Sequence, residues 1–239
     1  MEVQLPPQPP PDAPAPPPGR EAIRSQRNMN IMLWVGGISV AFMLLVLSAP
    51  LWLRARKKGP QTEATSNLKQ LHLALLDFDS DYGRFPDAAS IADVQSKTHT
   101  TLSLGTSTSN DYFRQLIAAE TAKSETIFWA KTRATPRKPN NILGADALKK
   151  GECSFAYVAG LSVSSNSATP VVMAPMIPGT YQFDAVPFGD KAVILRIDGS
   201  VASATIRTDN HLISVPGGTL FDPRLPPWNG KAPDLKWPE

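Results

Sequence analysis

The side chains able to carry chemistry are few and scattered. Three histidines, His72, His99 and His211, lie far apart. None has a cysteine, histidine or carboxylate partner at the spacing a zinc site uses. His72 falls at the edge of an apolar helical stripe and reads as a packed or half-exposed helix residue. Cys153 is the single cysteine, so no intrachain disulfide can form. A catalytic thiol needs a base and an orienting group. The nearest basic residues in sequence are Lys149 and Lys150, and Cys153 reads as structural. Asp77, Asp79 and Asp81 alternate as in a calcium loop. Such a loop needs glycine at its sixth position and a carboxylate at its twelfth, and here those residues are Tyr82 and Ala88. Asp184 and Asp190 fall on an expected loop, where solvation is the default. There is no G-x-S-x-G nucleophile elbow and no phosphate-binding loop. The sequence therefore assigns no catalytic, cofactor-binding or metal-binding residue, needs no cofactor, and reads as a non-enzyme.

The elements that would position these residues are more legible. Residues 1–18 hold nine of the 24 prolines. Proline removes backbone donors and favours extended polyproline II, so a disordered tail is expected over 1–28. Residues 31–53 (IMLWVGGISVAFMLLVLSAPLWL) carry no charge. As a helix rising about 1.5 Å per residue they reach about 30 Å, the thickness of a hydrocarbon core. Trp34 and Trp52 lie near the two ends, where indoles favour the membrane interface, and Arg54, Arg56, Lys57 and Lys58 follow as a cationic collar. A transmembrane helix with its collar is expected over 29–58, with the lipid bilayer as partner. The net charge is only +3, with a basic excess beside this stretch and no broad patch. This excludes a nucleic-acid partner and favours anionic lipid headgroups.

A soluble domain is expected over 59–210. Leu68, Leu71, Leu75 and Phe78 recur at helical spacing, with Leu76 widening the stripe and Leu73 pointing away. Gly83 suits a C-terminal cap and Pro86 stops further winding. Residues 88–108 read as a Ser/Thr-rich loop. Ser109 or Asn110 could cap a second helix to about Lys123, with Phe113, Leu116 and Ile117 inward. From Lys131 to Lys150 a basic surface excursion is expected. Strands follow at 154–160, where Phe155, Tyr157 and Ala159 share a face, and at 170–176. Over 191–207 two β-rich runs flank Asp198-Gly199, which suggests a hairpin with a two-residue type I′ turn. Residues 211–239 are expected to form a Pro-rich tail that wraps the surface or is disordered.

Several stretches together resemble pilin-like proteins, and in particular the pseudopilins of type II secretion systems. SNLKQLHLALLDFDSDYGRFPD (66–87) is similar to their "NLKQLGLAL" stretch leading to "Y…D…G.YP". Ser48-Ala49-Pro50 resembles the helix-breaking proline of pilin stems. GECSFAYVAGL (151–161) is similar to the "Y.Y..GL" strand, and ILRIDGSV (194–201) to the closing "..F.DG.V" hairpin. The chain departs from the family in three places. It has no Gly-Phe-type cleavage junction, no acidic residue in 31–53, and Phe188 where many relatives carry histidine.

The resemblance implies an α+β fold, a long N-terminal membrane-spanning helix followed by an antiparallel β-sheet domain. It implies a single-pass protein of the inner membrane with its soluble domain periplasmic. The function implied is a structural or assembly role in a secretion or envelope apparatus, with other pilin-like subunits or secretion components as partners. Without the cleavage junction, the anchor is expected to stay uncut. The alternative is a membrane-tethered binding module whose Pro-rich tail recruits a cytoplasmic partner.

Overall fold

The computed structural model describes residues 20–239; of the Pro-rich tail expected over 1–28, residues 1–19 lie outside the described residues and 20–28 are helical. The chain divides into two compact units, Met1–Trp52 and Leu53–Glu239. Helix α1 runs over Arg20–Tyr82.

The expected first element is corrected here. Among the described residues no helix is long and apolar enough to cross a membrane. Helix α1 as a whole is 63 residues long and mixes charged with apolar side chains. The fold is an antiparallel sheet of five strands with a few helices.

In the unit 53–239, helical geometry passes through Gly59-Pro60 without interruption. Leu68, Leu71, Leu75 and Phe78 are fully buried, Leu76 is half-buried and Leu73 is exposed, as the stripe requires. The helix ends where Gly83, at φ +72°, donates its N–H to the Asp79 carbonyl at 2.7 Å. That left-handed geometry suits glycine.

Helix α2 (Ser90–Thr98) occupies part of the expected loop. Its one buried apolar side chain is Val94, too little to make a periodic pattern. A reciprocal bond starts it, with Ser90 N–H donating to Asp87 Oδ1 at 2.8 Å and Asp87 N–H donating to Ser90 Oγ at 3.0 Å. Helix α3 (Ser109–Ala118) starts earlier than a cap at Ser109 or Asn110 would allow, and it ends at Ala118, short of the expected Lys123. Thr108 caps it in a capping box with Asp111, leaving Ser109 and Asn110 buried inside the first turn. A short 3-10 helix follows at Glu125–Phe128.

The strands are β1 (Ala156–Ala159), β2 (Pro170–Ala174), β3 (Lys191–Arg196), β4 (Val201–Thr205), β5 (Ser214–Val215), β6 (Gly218–Thr219) and β7 (Asp234–Lys236). The main sheet has the order β4-β3-β2-β1-β7, antiparallel throughout, and β5 and β6 form a separate ribbon. The expected C-terminal tail thus supplies an edge strand, with Leu235 opposite Val158. The four residues between Pro233 and Pro238 alternate polar and apolar, but the run is too short to read as a strand. Pairing with β1 creates this strand, and local preference does not.

Alternation along the strands fills both faces of the sheet. Phe155, Tyr157, Val193 and Leu195 pack with the α1 stripe and with Phe113 and Leu116 of α3. Ala156, Val158, Met173 and Ile194 pack on the other side, with Phe183, Phe221, Trp228 and Leu235. A register shift between Pro170 and Val172 puts both Val171 and Val172 on the helix side.

The Asp198-Gly199 hairpin is present, with Leu195 opposite Val201, but its turn differs from the expected one. Gly199 N–H donates to the Arg196 carbonyl at 3.0 Å, and Arg196 N–H donates to the Ser200 carbonyl at 3.0 Å. Gly199 is at φ +78° and Asp198 is not in the positive region. This is a three-residue-type loop closed by a left-handed glycine, not a two-residue type I′ turn. Ile197 belongs to the core, and its N–H donates to the Thr169 carbonyl. That burial lengthens the loop.

Candidate functional site

A cleft of ligand size opens beyond the end of β2. There the chain leaves the sheet through a cis Ala174–Pro175 bond and bridges back at Met176 and Phe183. The cleft holds about 480 Å³, within the size range of small-molecule sites. Its walls come from five separate segments, 132–134, 153–154, 175–178, 184–186 and 238–239, with His211 at one side. Pro175, Met176, Ile177, Pro178, Val186 and Pro238 make most of the lining apolar. At the mouth, Arg133 Nε lies 3.5 Å from Asp184 Oδ2.

The cleft gathers Cys153, His211 and Asp184, three residues that the sequence keeps apart. Their chemistry is nevertheless not that of a nucleophile and its base. The Cys153 thiol is fully buried, 3.7 Å from Ser109 Oγ and 3.6 Å from the Phe155 carbonyl. Burial pushes it up to about 11, so it stays protonated near neutral pH. His211 holds its place by backbone bonds. Its N–H donates to the Arg207 carbonyl at 3.0 Å and its own carbonyl accepts the Phe183 N–H at 2.9 Å. Among the described residues no group of three or more metal-ligating side chains converges. The arrangement can hold an apolar group beside a charged pair, and it offers no activated atom.

The other candidate residues serve the fold. Asp79 Oδ1 accepts the Val163 N–H at 3.0 Å, and the Asp81 carbonyl accepts Lys97 Nζ at 2.9 Å. Asp77 is exposed, so the three carboxylates do not converge. His99 closes α2 in left-handed geometry, its N–H on the Gln95 carbonyl. Asp190, also left-handed, donates its N–H to the Ala185 carbonyl at 2.7 Å. Phe188 is buried in the helix-side core.

His72 is half-buried at the hairpin tip. A β-carbon added to Gly199 would lie 2.6 Å from its Nε2. Desolvation holds this imidazole below the usual histidine range, and the Asp198 carboxylate opposes that shift.

One buried carboxylate escaped the sequence. Glu125 is fully buried; its Oε1 accepts the Leu148 N–H at 2.6 Å and its Oε2 the Ile142 N–H at 3.1 Å. Desolvation raises its pKa while those bonds lower it. It pins the 140–148 excursion to the core, and its partners are backbone groups that no side-chain pattern reveals.

No protein-family model matches the chain, and no curated protein or solved structure is significantly similar to it.

Proposed function

We propose that the chain is a non-enzymatic structural or assembly subunit of an envelope or secretion apparatus, held at the inner membrane with residues 53–239 on the periplasmic side. The resemblance of 66–87 to pseudopilins motivates the reading. The observation that carries it is the apolar surface of α1. Met32, Trp34, Val35, Ile38, Phe42 and Met43 are 59–79% exposed. Clustered exposed apolar side chains mark a surface made for lipid or for another protein. The test is flotation of the full chain with lipid vesicles. The parent should float, and Ile38→Lys/Phe42→Lys should stay with the soluble fraction. A parent that does not float overturns membrane attachment. A C-terminal reporter active only in the cytoplasm overturns the orientation.

A second reading is a membrane-tethered binding module whose Pro-rich tail recruits a cytoplasmic partner, favoured by the nine prolines among residues 1–18. Deleting residues 1–18 separates the two. Loss of a captured cytoplasmic partner with envelope function intact favours the binding module.

A further inference from the structure

The two edges of the main sheet are built differently. The β7 edge is short, flanked by Pro233 and Pro238, and carries a Lys236–Asp234 ion pair at 2.9 Å. Prolines and charges are the usual guards of an edge strand. The β4 edge has neither. Val201-Ala202-Ser203-Ala204-Thr205 is uncharged, free of proline, and paired with β3 in unbroken register.

Which groups face outward follows from the ladder. Arg196 N–H bonds to the Ser200 carbonyl, and Ile206 N–H bonds to the Asp190 carbonyl. Hydrogen-bonded and non-bonded pairs alternate in an antiparallel ladder. Between those ends, Ala202 and Ala204 therefore point their backbone groups at Ile194 and Ala192. Val201, Ser203 and Thr205 point theirs away from the sheet. Among the described residues no hydrogen bond reaches the N–H or C=O of these three. Ser203 and Thr205 are exposed. Gln61 Nε2 reaches the Ser203 hydroxyl at 2.7 Å and leaves the backbone edge open.

We propose that β4 is an interface between copies of this chain, joining β4 to β4 antiparallel about a two-fold axis at Ser203. In that register Ser203 faces Ser203 and Val201 faces Thr205, so every outward N–H meets a carbonyl. A two-fold contact requires a patch that complements itself, and an edge whose open residues are all odd-numbered does so. The strand itself is neutral, and the charge beside it, the Lys191 ammonium that donates to the Thr205 hydroxyl at 2.6 Å, sits at the end of the pairing and not at its centre on Ser203. The pairing does not depend on membrane attachment.

The full chain is used in detergent, which shields the apolar face of α1. Ser203→Cys is treated with a short bis-maleimide cross-linker, with Asp234→Cys as the control on the guarded edge. Directly opposite Cα atoms in a hydrogen-bonded pair are about 5.5 Å apart. A covalent dimer is expected for Ser203→Cys and not for Asp234→Cys, because native Cys153 is buried. Ser203→Lys, which sets two ammonium groups face to face, should shift sedimentation to the lower mass while near-ultraviolet circular dichroism stays that of the parent. No dimer at position 203, equal dimer at both edges, or an unchanged mass for Ser203→Lys overturns the proposal.

Discussion

The two ends of α1 use the same residue types to opposite effect. Over 64–78, Ala64, Leu68, Leu71, Ala74, Leu75 and Phe78 are 0–4% exposed. Over 32–45, Met32, Trp34, Val35, Ile38, Phe42 and Met43 are 59–79% exposed. The difference lies in period and partner. From 64 to 78 the apolar residues keep to one face, and residues of strands β1–β3 pack with them in one core. From 32 to 45 they surround the helix, and no single face could bury them. Apolar content alone says nothing about burial. A stripe is buried only where a wall of matching pattern faces it.

Substitutions of like size at the two ends test this most sharply. Leu75→Ala removes a fully buried side chain from the helix–sheet seam and should cost about 2–5 kcal/mol. Phe42→Ala, at a position 68% exposed, should leave the unfolding midpoint of the full chain where it was. Thermal unfolding followed by near-ultraviolet circular dichroism measures both. Equal losses at the two ends would break the comparison.

Gly199→Val tests the same seam from the sheet side. It places a β-branched residue at φ +78° and a β-carbon 2.6 Å from His72 Nε2. The backbone strain alone is on the order of 1–3 kcal/mol. His72→Ala should recover the part of the loss that comes from the clash and leave the strain. A full recovery would mean that the turn is not strained.

A smaller effect is expected at the α3 cap, which supports the seam from behind. Thr108→Ala removes the hydroxyl that accepts the Asp111 N–H and should cost about 1 kcal/mol. Urea unfolding should show a lower midpoint with an unchanged slope.

The smallest effect is one of pH. Desolvation lowers the folded pKa of His72, so its contribution to stability is present above the ordinary histidine value of about 6.5 and is lost as pH falls through the lowered one. Melting temperature should therefore fall more for the parent than for His72→Gln on going from about pH 7.5 to about pH 5. Parallel curves would show that the imidazole titrates as if free in water.

What the sequence makes legible here is whatever repeats at short range. The Leu68–Phe78 stripe, the alternation of Phe155, Tyr157 and Ala159, and the Asp198-Gly199 hairpin each announce themselves within a dozen residues. Helix α2 is hidden because Val94 is its one buried apolar side chain, and reciprocal bonds between Asp87 and Ser90 precede its first turn. Strand β7 was hidden because its identity depends on β1. The cleft is legible nowhere locally. Its walls come from five segments that meet because the sheet brings them together, and the neighbours that set the state of Cys153 are Ser109 and Phe155, not the lysines close by in sequence. The turn at Gly199 is one residue longer than the two-residue turn that Asp198-Gly199 suggests, because Ile197 enters the core without any local sign of it.

The pairing of β7 with β1 carries a consequence for the order of folding. Strands β1 to β4 are neighbours in the chain, and each pairs with the next across the local connections 160–169, 175–190 and 197–200. Val158 must wait for Leu235, which lies near the far end of the sequence. Closing a long loop costs entropy before any contact repays it, so the meander should assemble first and β7 should dock last. Until it does, β1 is a bare edge of four buried-type residues, the kind of transient surface through which chains stick to one another. The ties at the end of the chain, Ser109 N–H to the Trp237 carbonyl and Glu239 N–H to Asn110 Oδ1, then act as the clasp that ends this exposure.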